Sequence, residues 1–171
     1  MDFTDVIRRR ESLRSYDPDR PVDKDTLERI LEAGRIAPSA VNRQPWRFFL
    51  VSSKPILLKL RECYGKPWFH DAPHVLAVAG RRADAYKRRD GTSSLEVDLT
   101  IAMDHMILAA ENEGVGTCWI MAFDPAALKN ALGLADEEIV LCITPLGYPR
   151  QGWERKKEKP RKPPAEIVSY L

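Results

Sequence analysis

The chain switches repeatedly between helical and strand periodicity. Residues 2–10 put Phe3, Val6 and Ile7 on one face and predict a short helix. Leu27, Ile30, Leu31 and Gly34 fall at helical spacing behind Asp23, a residue type that caps helix starts, so a second helix is expected over 24–36. Residues 47–52 read as a strand. Ser53 and Pro55 then mark the start of a short helix. Residues 74–80 are almost continuously apolar, the pattern of a strand buried on both faces. Residues 95–113 give the longest helical pattern. From Leu99 to Ala110 it is interrupted only by Thr100, Asp104 and His105, so it is apolar nearly all round. Such a helix must be covered on every side, in a small domain by a second subunit if not by its own chain. A strand is expected over 115–120, a helix from Asp124-Pro125 to about 132, and a strand over 139–144 ended by Pro145 and Gly147. Helices and strands that mix in this way predict an α+β or α/β fold around one sheet.

The tail differs in kind. Residues 148–171 carry Pro149, Pro160, Pro163 and Pro164 and show little periodicity, yet end in Ile167, Val168, Tyr170 and Leu171. They cannot form a core of their own. They are expected to be disordered or to form an arm lying on something else, with residues 1–147 as the single core domain.

Composition narrows the function classes. The 171 residues are 44% hydrophobic and 30% charged, as in an ordinary globular domain. A net charge of +2 argues against nucleic acid as a partner. Two basic clusters, Arg81 to Arg89 and Arg155 to Lys162, keep a small nucleic-acid-binding module open as the weaker alternative. Cys63, Cys118 and Cys142 are odd in number and unpaired by spacing, which argues for a reducing compartment and against a zinc site. No apolar run approaches the roughly 20 residues needed to span a bilayer. The acidic start Met1 to Asp5 lacks the apolar core of a secretory leader, so the cytoplasm is expected.

Two segments carry candidate chemistry. Arg10, Ser12 and Arg14 follow the first helix; guanidinium groups and a hydroxyl suit a phosphate, and Lys159 with Arg161 offers a second basic pair. There is no G-x-G-x-x-G or Walker A loop, so side chains would have to hold any nucleotide phosphate. The stretch from Ile36 to Phe48 sets Ser39, Asn42 and Gln44 between two prolines and Trp46. It reads equally as a turn with Trp46 on the core and as a loop that hydrogen-bonds the rim of a planar ligand. No protein acid, base or nucleophile stands out. Cys118 reads as inert, and His105 as a structural histidine near Asp98. Such a gap suits an enzyme whose cofactor does the hard chemistry.

Together, Arg10-x-Ser12-x-Arg14-x-Tyr16 and Ala37-Pro38-Ser39-x-x-Asn42-x-Gln44-Pro45-Trp46 resemble the signature of FMN-dependent nitroreductases. Gly114 to Ile120, Leu146 to Pro149 and Lys159 to Pro163 are similar to later family segments, and the length matches the compact branch. The resemblance implies a three-layer α-β-α sandwich with a central mixed sheet and an intertwined homodimer. Residues 148–171 would wrap the partner. It implies FMN held by Arg10, Glu11, Ser12, Lys159 and Arg161, with Arg14 at the N1/O2 edge as the catalytic charge. Pro38, Ser39, Ala40, Asn42 and Gln44 would reach the ring from the partner subunit, and Trp119, Ile120, Met121 and Ala122 would lie near N5. NADH or NADPH would donate the hydride. The basic 81–89 segment would favour NADPH if it lies at the mouth. A nitroaromatic, quinone or similar acceptor would follow by a ping-pong scheme. Met121 and Ala122 occupy a stretch where the family often has glycine, which keeps a flavin-storage protein without turnover as an alternative.

Overall fold

The computed structural model describes every residue except Lys157 and Glu158. Its elements, in order, are α1 (Phe3–Arg9), α2 (Lys24–Arg35), β1 (Trp46–Val51), α3 (Lys54–Cys63), α4 (Pro67–His70), β2 (His74–Arg81), α5 (Leu95–Asn112), β3 (Gly116–Thr117), α6 (Pro125–Leu132), β4 (Glu138–Gly147) and α7 (Pro164–Ile167). The four strands form one sheet in the order β1-β2-β4-β3.

Local chemistry explains where most helices begin. Asp2 accepts the amide of Asp5, Asp23 that of Thr26, and Asp124 those of Ala126 and Ala127 ahead of Pro125. Each cap satisfies amides that the helix itself leaves unbonded. Ser53 occupies the corresponding place before α3, but its side chain makes no capping bond. Gly133 ends α6 in the left-handed conformation, where a side chain would be strained.

The sheet is covered on both faces. Leu76 and Val78 of β2 face Ile30 of α2 and Leu99, Met103 and Met106 of α5. The alternate residues Val75 and Ala77 face Leu60 of α3 and Leu128 of α6. This two-residue alternation, apolar on both sides, is why β2 reads as a continuous apolar run. The layers are therefore helix, sheet, helix, an α+β arrangement. All four strands pair antiparallel. Among the described residues the mixed character of the sheet rests on one parallel bridge, Ser12 to Thr117.

The expected 115–120 strand is broken, for a long-range reason. Gly116 faces Gly147, Thr117 faces Leu146, and Ile120 faces Ile143, so Cys118 stands opposite Pro145. Proline has no amide hydrogen to complete that rung. The Cys118 amide instead donates to the Thr144 hydroxyl at 3.0 Å, and the hydroxyl donates on to the Pro145 carbonyl at 3.1 Å. Pro145 thus interrupts the neighbouring strand rather than ending its own, which runs to Gly147.

The first half of the tail is docked on its own chain. The amide of Arg150 donates to the Ser15 carbonyl, its guanidinium to Tyr16 O and to Asp71, and Arg155 donates to Arg9 O. From Arg161 onward the chain is exposed, including Ile167, Val168, Tyr170 and Leu171.

Candidate functional site

The residues between α1 and α2 run beside β3. Leu13 N–H donates to Thr117 O at 2.8 Å, and the approach is so close that a methyl group on Gly116 would lie 2.1 Å from Leu13 Cδ2. Any side chain there would have to push the buried Leu13 aside. This contact fixes Ser12 and Arg14 next to Cys118, with Tyr16 fully buried below and its hydroxyl bonded to Leu13 O. Burial pushes the Tyr16 phenol well above its usual pKa, so it stays neutral.

Arg10, Glu11, Ser12 and Arg14 from this segment meet Lys156, Lys159, Pro160 and Arg161 from the tail around a pocket of about 310 Å³. Lys159 donates to the carbonyls of Arg8 and, at 3.1 Å, Arg10, and so closes the C-terminal end of α1. Desolvation lowers its pKa, and Arg10 and Arg161 push the same way while Glu11 and Glu111 oppose. Arg14 lies 5.9 Å from the centre of the Trp68 ring, which itself stacks on Tyr16. A carboxylate does line the pocket: Glu11 is 8% exposed and turns toward the tail, where it accepts from Lys156 N–H at 3.3 Å.

Cys118 is less isolated than its strand suggests. Burial raises its thiol pKa, while Arg14, Ser12 and Arg10 pull it down. Basic neighbours are present, then, but burial wins, and the thiol stays protonated.

The loop from Pro38 to Gln44 lies elsewhere. Asp98, 1% exposed near the start of α5, accepts from Ala40 N–H at 2.9 Å and from the Ser94 hydroxyl at 2.7 Å. The Ser39 hydroxyl accepts from Gln44 N–H, and the Gln44 amide donates to Asn42 Oδ1. Val41, Asn42 and Gln44 all have positive φ. For a β-branched valine that is a strained conformation, held in place by the Asp98 anchor. Pro38, Asn42 and Gln44 are exposed. Sequence reasoning treated Asp98 only as a neighbour of His105; the available signal was a carboxylate on the apolar side of the helix, next to Leu99, in a first turn that also holds the more exposed Glu96.

Within one chain these two halves are far apart. Asp98 anchors the loop near one end of α5, and Glu111, which pairs with Arg155 beside the cationic pocket, lies at the other. Thirteen residues of helix separate them by about 20 Å. Ile120 exchanges backbone bonds with Ile143, and Met121, 60% exposed, and Ala122 follow at the surface. The structure therefore gathers Arg10, Glu11, Ser12, Arg14, Lys159 and Arg161 into one pocket, with residues 116–118 beside the Ser12–Arg14 segment, and leaves 38–44 separate.

Other candidate groups are occupied structurally. Arg81 pairs with Asp84 at 2.7 Å, and Arg82 with Glu96. Arg81 also shares a pocket of about 580 Å³ with Arg43, Arg47, Asp84, Glu137 and Glu138, where three acids match three bases. The other basic cluster, Arg155 to Lys162, includes Lys157, which lies outside the described residues. Among the described residues no group of acids, cysteines and histidines could hold a metal, and no helix is long and apolar enough to cross a membrane.

Ser52 and His74 are 2.7 Å apart but are not a nucleophile and base. His74 Nε2 accepts from Val22 N–H, so Nδ1 carries the proton and donates to Ser52. Burial lowers the His74 pKa. A neutral group favoured by folding contributes stability that is complete above its unfolded pKa of about 6.5 and is lost as pH falls toward the lower folded value. The urea midpoint should therefore fall more steeply between pH 7 and pH 5 in the native protein than in His74→Asn. Equal slopes would show that His74 protonates freely in the fold.

A three-layer α+β domain with a cationic pocket built from both chain ends defines a class. The Nitroreductase family model matches residues 7–63 and 57–148. The chain belongs to the nitroreductase family. A nitroreductase family protein of Clostridium difficile 630 superposes with a TM-score of 0.90 at 32% identity, over 99% of this chain and 98% of that one. The FMN reductase [NAD(P)H] of Bacillus subtilis is 33% identical over 176 residues, 93% of this chain and 69% of the relative. A protein of Exiguobacterium sibiricum 255-15, solved in complex with FMN, has a TM-score of 0.88 at 20% identity over 100% of this chain and 98% of its own, which carries the fold alone.

Proposed function

We propose that this chain is a homodimeric, NAD(P)H-dependent FMN oxidoreductase whose Arg10, Ser12, Lys159 and Arg161 hold the flavin phosphate. The observation that carries this reading is the convergence of Arg10 to Arg14 with Lys159 to Arg161, about 150 positions along the chain, on one pocket. Its guanidinium, ammonium and hydroxyl donors suit a phosphate dianion. The FMN and NAD(P)H named for the Bacillus subtilis relative point the same way.

Bound FMN supplies the centre that accepts and passes on a hydride; this chain's residues bind, orient and bias it. Arg14 is exposed beside the pocket, and its fixed charge favours negative charge developing on the ring. The backbone of Trp119, Ile120, Met121 and Ala122 provides a wall next to Cys118. The Ser39 to Gln44 loop, anchored at the opposite end of α5 from its own pocket, supplies its amides to a second subunit's pocket. Dimerisation also covers the half-exposed stripe of α5, Val97, Ile101, His105 and Leu108. The exposed end of the arm, with Ile167, Val168, Tyr170 and Leu171, lies on the partner. The acceptor is a small electron-poor molecule such as a nitroaromatic or quinone, and the protein works in the cytoplasm.

Purified protein is expected to be yellow and to release FMN. NAD(P)H should bleach it with no acceptor present, and steady-state lines should be parallel, as ping-pong turnover requires. Arg14→Ala should slow bleaching more than it weakens FMN binding, because the charge matters most as the ring becomes anionic. A colourless protein that takes up no added FMN overturns the reading. A yellow protein that NAD(P)H does not bleach is a storage protein instead.

A further inference from the structure

Two carboxylates are buried beside the phosphate-type pocket, and neither contributes a donor to it. Glu11 is 8% exposed and Glu111 5%. One guanidinium reaches both: Arg155 lies 3.8 Å from Glu11 Oε1 and 2.9 Å from Glu111 Oε1, and it donates to Glu111 Oε2 at 3.3 Å and to Arg9 O at 3.0 Å. Arg9, half exposed, adds a looser contact to Glu111 at 3.6 Å. Neither Oε1 atom has an aligned hydrogen bond. Among the described residues Arg155 is the ion-pair partner of Glu11, and it alone pairs with both acids. The Trp153 ring lies 5.7 Å from its guanidinium carbon.

The placement has an electrostatic consequence. Glu11 lines a pocket otherwise fitted for an anion, one residue before Ser12. An uncompensated buried carboxylate there would repel phosphate and would itself be strongly disfavoured. Arg155 cancels that charge. It also ties the arm to α1 and α5 four residues before Lys159, which sets where Lys159 and Arg161 arrive. A lysine cannot replace it: a point charge lacks the fork that spans two carboxylates and a carbonyl.

We infer that Arg155 is a positioning residue for the anion pocket, which compensates Glu11, shares Glu111 with Arg9, and locks the arm so that Lys159 and Arg161 close on the flavin phosphate. This rests on the reading of that pocket as the phosphate site. It makes the site conditional on arm docking, although Arg155 touches no ligand.

The test titrates full-length variants with FMN and with riboflavin, which lacks the phosphate, and follows flavin fluorescence. Arg155→Met should raise the Kd for FMN at least about 30-fold, the scale set by stranding a buried charge, and change that for riboflavin less than about threefold. Adding Glu11→Gln to Arg155→Met should recover about tenfold of the loss, because it removes the stranded charge at the pocket wall. Arg155→Lys, which keeps the charge and serves if Arg155→Met does not fold, should fall between the two. Equal losses for FMN and riboflavin, or no recovery with Glu11→Gln, would reduce Arg155 to an ordinary packing residue and overturn the inference. Native protein that binds riboflavin as tightly as FMN would instead overturn the phosphate reading itself.

Discussion

Alanine at both Arg10 and Arg161 should weaken FMN binding by two orders of magnitude or more while leaving the fold intact. Each guanidinium can give a charge-assisted hydrogen bond to phosphate, worth about 1.5–3 kcal/mol, and about 3 kcal/mol together is already more than a hundredfold. The pair is chosen because its side chains are not structural. Arg161 is exposed, and among the described residues its guanidinium bonds only the adjacent Pro160 carbonyl. Arg10 contributes to the fold through its backbone carbonyl, which alanine retains. Lys159 is the wrong choice for the same purpose, because its ammonium also closes the end of α1. Riboflavin affinity should hardly change in the double variant, and the native protein's preference for FMN should shrink as salt is raised. Titration of both flavins decides it. Unchanged FMN binding, or equal loss of both flavins, would remove the phosphate from this pocket.

Much of this frame is legible in local sequence because local chemistry makes it. Asp23 and Asp124-Pro125 mark helix starts, and the apolar run of β2 and the all-round apolar α5 follow from burial on two sides. The residues proposed for the phosphate were legible as residue types, since few side chains other than arginine and lysine hold a dianion. What sequence did not yield depends on contacts between distant positions. The break at Cys118 requires Pro145 to stand opposite it, a register set by the turn and helix between them. The proximity of Arg14 to Cys118 requires the Leu13–Gly116 contact. Asp98 looks like an ordinary first-turn acid until the Ala40 amide is found against it. The cis docking of the tail hangs on Arg150 and Arg155, whose partners lie at Ser15, Asp71, Arg9 and Glu111. Without those partners both arginines read as members of a solvated basic run.

That cis docking divides the tail into two parts that truncation can separate. Removing residues 162–171 takes away Ile167, Val168, Tyr170 and Leu171 but leaves Arg155, Lys159 and Arg161 in place. None of those four apolar residues is buried in one chain. If they lie on a partner, losing them should weaken the dimer by at least about 100-fold, since each apolar side chain taken out of water contributes about 1.5–3 kcal/mol. The phosphate pocket should survive. Removing residues 150–171 is a different change. It deletes the tail half of the pocket, uncovers Glu11 and Glu111, and lifts the Arg150 bonds from Ser15 and Tyr16. FMN binding should then fall at least about 1,000-fold, because the three cations Lys156, Lys159 and Arg161 leave the site and a carboxylate is left at its wall. Light scattering and flavin content of the two truncations, measured side by side, give the answer. A long truncation that keeps its FMN would place the cofactor elsewhere. A short truncation that dimerises like the full chain would show that α5 alone holds the two subunits together.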